Sequence, residues 1–265
     1  PNEACNLGSL NLARFVKQGK AKSDNGRWQV DWKELERVVR LSVRFLDDVI
    51  DVNPYPLPDI DEMVKSNRRI GLGVMGWADM LIQLGIPYGS DEALALADQL
   101  MGFIERIGHD ESQKLARERG PFPNWPRSIY SDGPPLRNAT VTTIAPTGTI
   151  SIIAGATSGI EPLFAIAFRH IVGDRRLTFV NPHFESVARE RGFYSDDLME
   201  KVIQQGTLHG LEEVPEDVRR VFVTAHEVAP EWHVRMQAAF QRHTDNGVSK
   251  TVNLPNSATV EDVAN

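Results

Sequence analysis

Hydrophobic positions along this chain follow two spacings, and the switches between them separate helices from strands. Leu35, Val38, Val39, Phe45, Leu46, Val49 and Ile50 recur every three or four positions and lay one apolar stripe along a helix. Asp31 with Glu34 three residues on reads as a capping box at its start, and Pro54, Pro56 and Pro58 stop it. A longer helix is expected from Ser90 to about Arg119, with Ser90 as N-cap, Asp91 and Glu92 in the first turn and Gly120-Pro121 as the stop. Gly102 and Gly108 inside it mark close packing or a kink. Asn181-Pro182 opens a helix ending at Gly192, Ser195 opens one ending at Gly206, and Pro230 one running through His243. Cys5 to Val16 reads as strand-like, followed by a polar turn from Lys17 to Arg27. Further strands are expected at Val141 to Ala145, ended by Pro146, at Leu163 to Val172, and at Val248 to Leu254. Helices and strands intermix, so the fold class is α/β.

With 265 residues, 41% of them hydrophobic, the chain can bury one large core. It is read as one domain over 1–265, with the proline-rich loop 121–137 as the only candidate internal boundary. A formal net charge of −7 argues against a nucleic-acid surface, which needs clustered Lys and Arg. It leaves room for a phosphorylated small molecule held by a few local donors. No stretch approaches the roughly 18 apolar residues of a membrane span and no leader opens the chain, so a cytoplasmic protein without a membrane partner is expected. A single cysteine cannot close an internal disulfide, so redox chemistry at Cys5 needs a partner thiol from elsewhere.

The densest chemistry lies in Thr140 to Pro162, TVTTIAPTGTISIIAGATSGIEP. Pro146, Thr147, Gly148, Thr149, Ile150 and Ser151 follow a β-prone run and supply main-chain N–H groups, three hydroxyls and a glycine that lets a ligand approach the backbone. This is the composition of a phosphate cradle and equally of an ordinary strand-to-helix turn capped by Thr and Ser. Gly71, Gly73 and Gly76 match the dinucleotide spacing G-x-G-x-x-G, but the residues before them are polar and helix-like, which favours tight packing instead. Seven histidines form no H-x-x-x-H pair, so no protein-bound catalytic metal is expected. Asp47, Asp48 and Asp51 read as a solvated helix face. Lys250 reads as a surface salt-bridge partner, with neutralisation of a phosphate as the other reading, and Glu161 as a residue that anchors the loop after the turn. A lone cysteine such as Cys5 is most often an inert buried residue.

Several of these segments resemble the large chain of ribonucleotide reductases, in the adenosylcobalamin-dependent form. The similar runs are EACNLGSLNL from Glu3, RRIGLGVMGWAD from Arg68, IAPTGTISIIAGATSGIEPLFA from Ile144, the stretch from Pro215 to His226, and DNGVSKTVNLP from Asp245. They span the chain in order. The resemblance implies half of a ten-stranded α/β barrel and the reduction of the ribose 2′-hydroxyl of a ribonucleotide by radical chemistry. It implies that Cys5 is one of the redox pair that reduces substrate, that Pro146, Thr147, Gly148, Thr149 and Ile150 hold the substrate phosphates with Ser151 adjacent, and that adenosylcobalamin generates the radical. The thiyl-radical cysteine and the C-terminal cysteines that accept electrons from a thioredoxin-type reductant are expected outside this chain, which should be inactive alone. A homodimer is expected. The rival readings are a non-catalytic nucleotide- or phosphate-binding module and a metal-radical reductase of the class with a separate radical-generating subunit.

Overall fold

A computed structural model describes residues 2–19, 28–172 and 175–264. In chain order the first elements are β1 (Asn6–Asn11), a 3-10 turn at Leu12–Phe15, β2 (Val16–Gln18), β3 (Trp28–Val30), α1 (Trp32–Val52), α2 (Pro58–Asn67), β4 (Ile70–Met75), α3 (Trp77–Leu84) and α4 (Asp91–Arg119). There follow α5 (Gly148–Ala154), β5 (Ala167–Val172), β6 (Arg175–Val180), α6 (Pro182–Glu190), α7 (Asp196–Gln205), α8 (Glu216–Val221), α9 (Pro230–Gln241) and α10 (Val260–Ala264).

The helix signals act where the sequence places them. Asp31 accepts the Glu34 N–H at the start of α1, and Leu35, Val39, Val43, Leu46 and Ile50 are buried along its inner face. Ser90 caps α4 through the Ala93 N–H, Asn181 caps α6 and Ser195 caps α7. Gly120, Gly192 and Gly206, each with positive φ, follow α4, α6 and α7. Gly102 lies against His243 and Gly108 against Val141, so both glycines of α4 serve close packing.

Parallel pairing forms the frame. β1 runs parallel to β4, with Asn6 opposite Ile70 and Asn11 opposite Met75. Leu72 bridges Thr142 and Ile144 bridges Val248, both parallel, so four chain segments lie side by side in the order β1, β4, 141–145, 248. β4 is buried at all six positions, which is why it shows no alternation in the sequence. Its two strand glycines are spacing devices: a Cβ on Gly73 would sit 2.0 Å from the Thr143 carbonyl oxygen, and one on Gly71 would meet Thr143 and Leu7 side chains at 2.5 and 2.6 Å. The G-x-G of this segment therefore brings strands together, as the packing reading expected. On the other face Asn6 donates to the Leu46 carbonyl and Gly8 faces the Leu46 side chain, so α1 covers the outside. A second apolar cluster, including Ile166, Phe184, Val202 and Phe222, underlies β5, β6 and α6 to α8.

Some expectations change. The Cys5 to Val16 strand breaks at Leu12–Phe15, where Asn11 accepts the Ala13 N–H and turns Leu12 and Phe15 into the core. Much of the turn expected at 17–27 lies outside the described residues. Pro58 does more than end α1, since it is the first residue of α2. The buried strand expected from Leu163 begins only at Ala167 and forms an antiparallel hairpin, with Phe164 and Phe168 exposed. α9 stops at Gln241, and of the strand expected at Val248 to Leu254 only Val248 pairs, in a single bridge to Ile144, among the described residues.

Two charge assignments are overturned. Asp47 is wholly buried, bonded by Arg68 Nε at 2.9 Å, Arg137 Nε at 3.2 Å, Arg119 Nη1 at 3.3 Å and Asn138 Nδ2 at 3.0 Å. Those partners come from three distant stretches, so the helix spacing could not reveal them. Lys250 is not on the surface either: its side chain is fully buried against Glu161.

Candidate active site

The strand 141–145 delivers the chain to Pro146, which is exposed, and then to Thr147 at φ 56°, ψ 22°. A β-branched residue in the left-handed region is strained and persists only where its surroundings hold it. Here the hold is the Thr147 hydroxyl, which accepts the buried Gly159 N–H at 2.7 Å. α5 starts at once, and its first turn leaves the N–H groups of Gly148, Thr149 and Ile150 without intrahelical acceptors. All three residues are exposed, and a Cβ on Gly148 would meet nothing within 4 Å.

The three hydroxyls part company. Thr147 is committed to Gly159, and Ser151 is buried, bonding Gly148 O at 3.3 Å and Ser158 Oγ at 2.9 Å. Thr149 is the exposed one. The loop after α5 is tied down in turn: Asp79 accepts both the N–H and the hydroxyl of Thr157, and the Gly76 N–H donates to the Thr157 carbonyl.

A groove of about 260 Å³ runs along this turn, lined by Ala145 and residues 147–150 on one side and by Leu7, Gly8 and Ser9 of β1 on the other. Cys5 immediately precedes β1 and is exposed. It lies two positions before Leu7, the first of the β1 residues that line the groove. The thiol does not itself line the groove. Partial burial pushes its pKa up to about 11, with the positive charge of Arg69 opposing that rise and the carboxylate of Glu3 adding to it. It is therefore a neutral thiol at physiological pH, able to give up hydrogen rather than act as a thiolate nucleophile.

A second cavity of about 470 Å³ lies past Ser151 and Ile152, between Glu161, Phe164, Phe168 and Asn253. Two further groupings escaped the sequence reading. Lys250, Glu161 and His233 converge behind the turn. Glu105, His109 and Asp245 bring their ligand atoms within 4.8 Å of one another, a set the histidine spacing did not predict. Asp245 there already accepts from Val141 N, Thr142 N and His109 Nε2, so the group closes its own hydrogen bonds.

The profile of the ribonucleotide reductase barrel domain matches residues 1–135 and 134–265. The chain belongs to that family. A vitamin B12-dependent ribonucleoside-diphosphate reductase of Mycobacterium tuberculosis (strain CDC 1551 / Oshkosh) is 53% identical over 263 residues, covering 99% of this chain and 37% of the relative. A protein of the same name from Thermoplasma acidophilum is 51% identical over 266 residues, covering all of this chain and 34% of its own length. The ribonucleoside-diphosphate reductase subunit alpha of Chlamydia pneumoniae is 30% identical, over 94% of this chain and 27% of that one. Among solved structures, the class Id ribonucleotide reductase alpha subunit of Actinobacillus ureae superposes with a TM-score of 0.74 at 24% identity, covering 92% of this chain and 42% of that one, a likeness of fold. The chain thus spans about a third of the B12-dependent relatives it matches. The expected reductase barrel fold is borne out, and the parallel frame from β1 to Val248 is this chain's share of the reductase barrel.

Proposed function

We propose that the full polypeptide reduces ribonucleotides to deoxyribonucleotides, and that this part supplies the substrate-phosphate turn and one reducing thiol. The observation that carries the reading is the groove shared by the turn after Pro146 and β1, the strand that Cys5 immediately precedes. Main-chain N–H groups of 148–150 grip the anionic tail, each hydrogen bond to a charged oxygen contributing about 1.5–3 kcal/mol. The sugar then extends along β1 toward Cys5. Gly148 and Ile150 act through the backbone alone, whereas Thr149 adds its hydroxyl. Pro146 fixes the entry of the turn and Ser151 its exit.

In the reduction the 2′-hydroxyl leaves as water while Cys5 and a second cysteine, outside this chain, together give two electrons and two protons and become a disulfide. A protonated Cys5 matches that demand, because both electrons and protons must come from the thiols. A dithiol reductant of the thioredoxin type then restores the pair.

The names of the relatives at 51–53% identity support adenosylcobalamin as the source of the radical, over the class with a separate radical-generating subunit. The cavities around the turn, of about 260 and 470 Å³, are of nucleotide size and too small to enclose a corrinoid with its nucleotide tail.

The test is a pair of variants of the full-length enzyme. Gly148→Val has open space for its side chain in the fold yet fills the mouth of the groove, so nucleotide affinity should fall with the melting temperature unchanged. Cys5→Ser should keep nucleotide binding and lose turnover. Unchanged affinity in the first or retained turnover in the second overturns the reading.

A further inference from the structure

Behind the turn lies a buried cation whose bonds are complete. Lys250 Nζ reaches Glu161 Oε2 at 2.5 Å, Thr251 O at 2.8 Å and His233 Nδ1 at 2.9 Å. An ammonium has three protons and no lone pair, so three acceptors saturate it. His233 must then accept at Nδ1 and carry its proton on Nε2, and Nε2 indeed faces a group that can only accept, the Ala225 carbonyl at 3.1 Å. Burial and the neighbouring ammonium both lower the His233 pKa, consistent with a neutral ring. The second Glu161 oxygen accepts the Thr251 N–H at 2.7 Å.

Glu161 stands two residues beyond Gly159, the donor that holds Thr147 in its strained conformation. Between them the Ile160 carbonyl accepts the buried Tyr88 hydroxyl at 2.7 Å. Val248, two residues before Lys250, bridges Ile144 on the strand that leads into the turn. One cation thus joins the strand entering the turn, the loop leaving it and α9. Its side chain is fully buried, so it touches no ligand.

We propose that Lys250 is a positioning residue for the nucleotide: through Glu161 it fixes loop 155–161, so that Gly159 meets Thr147 and the N–H groups of 148–150 stay aimed at the phosphates. This rests on the turn being the phosphate site. A buried ion pair holds geometry only while both charges are present, since removing one strands the other. The pair is therefore replaced together, by near-isosteric neutral groups.

The experiment measures binding of cytidine diphosphate and of cytidine to the full-length enzyme carrying Lys250→Met with Glu161→Gln. The expected result is a diphosphate affinity at least about ten-fold weaker, with cytidine affinity within about two-fold of the parent, KM raised and kcat kept. A role only in folding would weaken both ligands in parallel. That outcome, or an unchanged diphosphate affinity, overturns the proposal. If the double variant does not fold, Lys250→Met alone is read by the same criterion, because the released Glu161 carboxylate lines a cavity and can be hydrated there. Gly148→Val runs alongside. If it weakens the diphosphate and the Lys250 variants do not, only the positioning role falls; if it too has no effect, the phosphate turn falls first.

Discussion

Replacing Thr147 by Val nearly preserves shape and removes one atom, the Oγ1 that accepts the Gly159 N–H at 2.7 Å. Gly159 is buried, so its N–H is left without a partner, at a cost of about 1–3 kcal/mol. Valine is also β-branched, so the left-handed strain at φ 56° remains and nothing offsets that cost. If the turn relaxes to recover it, the aim of the three main-chain donors is lost. Nucleotide affinity then falls by the same free energy, about 5- to 150-fold. Glycine at 147 separates the two effects. It relieves left-handed strain of about 1–2 kcal/mol while losing the same hydrogen bond, so stability stays near the parent as affinity drops. Serine keeps the hydroxyl and should bind like the parent. Isothermal titration of cytidine diphosphate into the full-length variants, with thermal melts alongside, reads both quantities. A folded Thr147→Val protein that binds the nucleotide as tightly as the parent refutes the reasoning, because it would show that the Thr147 to Gly159 bond does not set the turn.

Other expectations follow from single contacts. Gly73→Ala forces a Cβ into a backbone carbonyl and should cost about 1–3 kcal/mol or more. Gly8→Ala meets the Leu46 side chain at an ordinary 3.5 Å and should gain about 0.5–1 kcal/mol. At roughly 2–4 °C per kcal/mol the two melting temperatures move in opposite directions, and a shared direction would contradict the strand spacing described here. Cys5, with its thiol raised to about 11, should be alkylated by iodoacetamide with a rate–pH profile whose midpoint lies well above 9.0, followed by peptide mass mapping; a midpoint near 9.0 would show an unperturbed thiol. The His109 to Asp245 pair gives stability a pH window. Burial lowers His109, but the hydrogen bond and charge of Asp245 outweigh it and raise the ring above 6.5, so its contribution is full below 6.5 and fades as pH rises through the higher folded value. Burial likewise raises Asp245, but the His109 bond prevails and lowers it below 3.8, so its contribution is full above 3.8 and fades as pH falls through the lower folded value. Asp245→Asn should flatten the stability profile outside about pH 4 to 6.5, and an unchanged profile would count against the ion pair.

Local physics was written in the chain. The capping oxygens of Asp31, Ser90, Asn181 and Ser195 and the glycines after α4, α6 and α7 act over four residues or fewer, so helix ends could be read from neighbours alone. The family was legible too, through five runs kept in order. β4 was not, because a strand buried on both faces has no alternation and its glycines record a neighbour 70 residues away. The burial of Asp47 and Lys250 was equally hidden. Whether a charge is solvated or enclosed depends on partners that only the folded chain brings within 3 Å, and the same long-range closure sets β1 beside the turn after Pro146 in one groove.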